Sequence, residues 1–139
     1  MKSIYLLAQR AGMTTAEGFS TVLVSLIILT PYCGFLFDCG CTWPWSGLES
    51  HCNIHDPLAE HQCPWCASLI SGVLSSAAAV LAALFASMNV SKTVKRLGKP
   101  LFITQFLAST VAGLAAFLIV ATATGWLAGN LQGYPVFIF

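Results

Sequence analysis

Charge is the scarcest property of this sequence. Only 8% of its 139 residues are charged, against about a quarter in soluble domains, so the chain cannot cover itself with a water-compatible surface. The net charge is +1. That leaves no basic field for a phosphate backbone and excludes nucleic acid as a partner. No Asp, Glu, Lys, Arg or His falls within 18–37, 67–88 or 101–128. Ion pathways and proton relays are built from such residues, so their absence argues against a stand-alone pump or channel. No small-x-small cleavage site precedes Asp38, which argues against a removed signal peptide and for a retained first span. Regular patterning is missing from 38–65, where Gly40, Pro44, Gly47, Pro57 and Pro64 divide the chain into turns.

What remains is apolar and long. The runs 15–37, 66–88 and 101–128 each exceed the roughly 20 residues that cross a hydrocarbon core of about 30 Å. The expected fold is an all-α integral membrane protein forming a single membrane domain over 1–139. Three transmembrane helices flank an outer Cys/His-rich loop (38–65) and a cytoplasmic loop (89–100). Thr14 and Glu17 have capping-box spacing and are expected to open the first span. Pro31 is expected to kink or end it, which puts Cys33 with the loop. Residues 1–13, with Lys2 and Arg10, are expected along the interface.

Basic residues give the orientation. Lys2 and Arg10 precede the first span, Lys92, Lys95, Arg96 and Lys99 lie between the second and third, and 38–66 has neither Lys nor Arg. By the positive-inside rule the N-terminus is cytoplasmic, and the Cys/His loop and C-terminus are periplasmic in a bacterial inner membrane. Disulfides are permitted in that compartment.

The stretch 38–66 holds five of the six cysteines, all three histidines and three of the four tryptophans. The tryptophans suit the headgroup level as interfacial anchors. Three chemistries compete for the cysteines and histidines. Up to three disulfides would staple a loop too short for its own core. Alternatively, Cys39 with Cys41 and Cys63 with Cys66 resemble opposed metal knuckles around Cys52, with His51 and His55 at i and i+4 and His61 beyond. Thiolate and imidazole suit copper or zinc, so these eight residues are the candidate metal ligands, and no other cofactor is indicated. Finally, Cys63-Pro64-Trp65-Cys66 has the CxxC form of a thiol–disulfide oxidoreductase, with Cys39 or Cys41 as a shuttle. The spans offer no polar pocket for a quinone, so catalysis by the chain alone is the less favoured reading.

The second span is rich in small residues, including Ser71, Gly72, Ser75, Ser76 and Ala83, which allow close helix approach. Gln105, Ser109 and Thr110 offer hydrogen bonds to a neighbouring helix, and Phe137, Ile138 and Phe139 end an apolar tail. The expected partners are therefore the lipid bilayer and other membrane subunits, contacted through the second span and the tail. The functional expectation is an accessory or assembly subunit of a larger membrane complex, its loop held by disulfides and able to take a transition metal. The alternatives are a free-standing copper- or zinc-handling membrane protein and a quinone-linked thiol oxidoreductase. In intact cells, a membrane-impermeant probe should label tags placed in the 38–65 loop and should reach Lys95 only after permeabilisation. Labelling in the reverse sense contradicts the orientation.

Overall fold

A computed structural model describes residues 2–98 and 101–134, with side chains placed from Ala16 onward except that of Leu97. Four α-helices make up the framework: α1 (Lys2–Phe37), α2 (Pro64–Ala67), α3 (Leu69–Leu97) and α4 (Phe102–Gln132). Among the described residues there is no strand. Three segments are long and apolar enough to cross a membrane, Ala16–Phe37, Leu69–Arg96 and Phe102–Gln132. The Cys-rich loop lies between the first two. The expected spans are thus present, the second and third extending further at their C-terminal ends. The tail residues Phe137, Ile138 and Phe139 lie outside the described residues, as do the side chains of 1–13.

The capping box and an early end at Pro31 are not what the structure has. Helix α1 begins well before Thr14 and Glu17, so Glu17 is not a capping residue. It is buried at 2% exposure and accepts a hydrogen bond from Gln105 Nε2. Gln105 also donates to Ser91 Oγ at 3.0 Å, and Thr21 donates to Ser87 Oγ at 3.2 Å. A short polar ladder thus joins all three helices at the end away from the cysteine loop. Pro31 does not end α1, which continues through Phe37. The proline removes one donor but leaves the following turn intact.

The helices meet along stripes of four-residue spacing. Ser75, Ala79, Ala83, Ser87 and Ser91 are buried on α3, and Gln105, Ser109, Gly113, Phe117, Ala121 and Gly125 on α4. Such a stripe follows one ridge of the helix surface, and its small side chains let backbones approach. Helices α3 and α4 form the most extensive pair, with α1 against both. Gly113 sits where all three cross: a Cβ there would lie 2.5 Å from Thr21 Cγ2, 3.0 Å from the Ala83 carbonyl oxygen and 3.3 Å from Ser87 Cβ. Towards the loop the core changes to Leu36, Phe37, Trp65 and Phe117. Replacing Gly113 by leucine should overpack this crossing at a cost of about 1–3 kcal/mol, read as a lower unfolding midpoint in mild detergent. An unchanged midpoint contradicts the packing described.

Candidate metal centre

Six cysteines from four separate places in the chain converge at the loop end of the bundle. Cys33 comes from the last turns of α1, Cys39 and Cys41 from the chain leaving it, Cys52 from mid-loop, and Cys63 and Cys66 from the start and body of α2. Local backbone geometry explains the convergence. Asp38 adopts φ 47°, a left-handed conformation that a short polar residue tolerates. It turns the chain off α1 so that Cys39 doubles back on Cys33. Gly34 has no side chain because the Cys41 carbonyl occupies the place of a Cβ. Gly40, at φ 83° and against the His51 carbonyl, lets Cys39 and Cys41 join the same group of sulfurs.

All six cysteines are free thiols, and all but Cys66 are buried. This differs from the disulfide staples expected from the even cysteine count. The reason is geometric: each sulfur has several sulfur neighbours instead of one partner. Cys33 Sγ lies 3.4 Å from Cys63 Sγ and 3.8 Å from Cys39 Sγ, and Cys52 Sγ lies 3.6 Å from Cys66 Sγ. Four triads have their sulfurs within 4.8 Å of one another and could each hold a metal ion: Cys33–Cys39–Cys63, Cys33–Cys41–Cys66, Cys39–Cys41–Cys52 and Cys52–Cys63–Cys66. Hydrogen bonding to Cys33 holds Cys39, Cys63 and Cys66 below the usual thiol range, whereas burial pushes Cys52 up to about 12. Thiols this close titrate as a group.

Of the eight candidate ligands, the five cysteines are brought together and the three histidines are not. His51, His55 and His61 are exposed, and none joins a candidate metal group among the described residues. A 3-10 turn covers Asn53–His55 and leaves out His51, and His61 meets the Tyr134 ring at 5.7 Å. Cys33 is the member of the thiol group that the knuckle spacing missed. The even cysteine count and its position next to the loop were the available signals.

Asn53 has no spacing signal at all, yet it organises the loop. Its Oδ1 accepts from the Cys63 N–H at 2.9 Å, its Nδ2 donates to the His61 carbonyl at 3.0 Å and to Tyr134 Oη at 3.3 Å, and its own N–H donates to the Cys39 carbonyl at 2.8 Å. Tyr134 in turn donates to the Phe37 carbonyl at 2.8 Å, and Gln132 Nε2 to the Pro64 carbonyl at 3.0 Å. The end of α4 is thereby tied over the loop. Beside the thiols, a cleft of about 240 Å³ between α1 and α3 is bordered by Cys33, Cys41, Cys66, Trp65, Gly72 and Glu49.

Asn53→Ala leaves the Cys63 N–H without its acceptor, at a cost of about 1–3 kcal/mol. The expected result is faster alkylation of the buried thiols by a maleimide, with helix content unchanged. An unaltered alkylation rate contradicts the role given to Asn53. The chain matches no protein-family model, no curated protein and no solved structure.

Proposed function

We propose that the chain is a membrane protein that binds a soft transition metal, copper or zinc, in its six-thiol pocket and handles it at one face of the bilayer. One observation carries this reading. Six thiols, five of them buried and none interleaved with a carboxylate or imidazole, lie at metal-ligand spacing on a helical bundle. Thiolate is the ligand that copper(I) and zinc favour over harder cations. A structural role in the bundle does not require six thiols in mutual contact, since apolar side chains fill such a volume without the reactivity. In the orientation argued from the basic residues, the pocket faces the periplasm and collects metal from outside.

Thiol–disulfide exchange is less favoured. Cys63 has 0% exposure, so of the CxxC pair only Cys66 is open to a substrate. An accessory role in a larger membrane complex is the second reading, because Ala77 and Ala78 of α3 stay exposed and would admit a neighbouring helix. Metal handling and assembly are compatible if the metal is what the complex receives. Disulfides in the same pocket would be its oxidised, metal-free state.

The test is metal analysis of the reduced full chain after exposure to copper or zinc. Metal should be retained through gel filtration. It should survive replacement of His51, His55 and His61 by alanine and fall at least tenfold in Cys52→Ser and Cys66→Ser. Retention of neither metal by the unaltered reduced protein overturns the reading.

A further inference from the structure

The four thiol triads are not four alternatives. Any two of them share one cysteine, no two share a pair, and each cysteine belongs to two triads. The four triads together contain twelve sulfur pairs, each within 4.8 Å, so the six sulfurs stand as the corners of an octahedron with eight equally close faces, of which these triads are one alternate set that shares corners but no edges. Its opposite corners are the pairs that share no triad: Cys33 with Cys52, Cys39 with Cys66, and Cys41 with Cys63. An ion at the centre of each triad would give a tetrahedron of four metals, each held by three thiolates, with every thiolate bridging two metals. Resting on the metal-binding reading above, we propose that the pocket assembles one tetranuclear copper(I)–thiolate cage of four ions and six cysteines.

Spacing supports the proposal. With metal–sulfur bonds of about 2.3 Å, three thiolates around a trigonal ion stand about 4.0 Å apart. The sulfur separations of 3.4, 3.6 and 3.8 Å, and the 4.8 Å bound on every triad, bracket that value. Coordination number selects the metal. Zinc in closed sites takes four ligands in a tetrahedron, but each triad offers three and the exposed histidines supply no fourth. Copper(I) is soft and singly charged, and it accepts three thiolates. The binding step balances without oxidation or reduction: four Cu⁺ and six thiols give a cage of net charge −2 and six released protons.

A buried anion is stabilised by N–H donors, and the cleft is bordered by a residue whose N–H has no acceptor. Trp65 is 8% exposed, and its indole N–H is buried with no partner. It borders the same cleft as Cys33, Cys41 and Cys66. A buried donor without an acceptor carries a desolvation cost that a neighbouring thiolate would relieve.

The test is anaerobic titration of the reduced, detergent-purified full chain with copper(I) against a chromogenic chelator, followed by X-ray absorption of the loaded protein. The expected plateau is four copper ions per chain, filled cooperatively. The loaded protein should show three sulfurs around each copper, a copper–copper vector, and the red luminescence of a water-shielded cuprous cluster. Cys33→Ser, which removes a thiolate shared by two triads, should lower the plateau below four and quench the luminescence, with α1 to α4 still folded by circular dichroism. A plateau of one or two ions with no copper–copper vector overturns the cage but leaves metal binding intact. Retention of neither copper nor zinc overturns both.

Discussion

The contact of the Cys41 carbonyl with α1 at Gly34 is the constraint on which the loop end depends. A loop of this length has too little apolar surface to order itself, so its shape is borrowed from the helix on which it lies. Contact at backbone distance requires a residue without a side chain, and the chain supplies one directly after Cys33. That single close approach brings a helical thiol among the loop thiols. The left-handed Asp38 and Gly40 then turn Cys39 and Cys41 into the same group. Asn53 completes the arrangement by holding backbone groups of Cys39, Cys63 and His61 at once.

The bundle below divides into two regimes. Away from the loop, small and hydroxylated side chains let the helices close on one another, and the Glu17–Gln105–Ser91 contacts fix their register. At the loop end the core fillers become large. Phe37 meets Trp65 edge-on at 5.4 Å and Tyr134 edge-on at 5.8 Å, geometries that stabilise aromatic pairs beyond their buried area. These rings join α1, α2 and the end of α4 into one platform. The thiol pocket rests on that platform instead of on a loop core, so a reactive site is held by rigid elements.

How much of this was legible follows from the range of each signal. The three spans were visible because an apolar run of about 20 residues has few other uses. Their ends shifted because a helix continues wherever nothing stops it, as α1 does past Pro31 and ahead of Glu17. The cysteines were legible as a group because thiols are rare and clustered. The histidines stand apart from the thiols, since an i and i+4 spacing aligns side chains only within an α-turn, and the turn here is a 3-10 one over Asn53–His55 that leaves out His51. Asn53 could not be found from sequence. A polar loop residue looks the same whether it faces water or three backbone groups, and its role depends on a loop closure that no local pattern encodes.

Of the four triads, Cys33–Cys41–Cys66 alone has all three members on the wall between α1 and α3, and Cys66 is the one cysteine that is not buried. A cage built on shared thiolates would therefore have one face open to exchange and three sealed by the loop and the aromatic platform. Metal entering at the open face would be bound by thiolates that also belong to each sealed triad, so the first ion organises the sites of the next. Cooperative filling and release through a single face then follow from the sharing of ligands, with no moving lid. The lone charged residue on that wall, Glu49, has the sign that draws a cation to the mouth of the cleft.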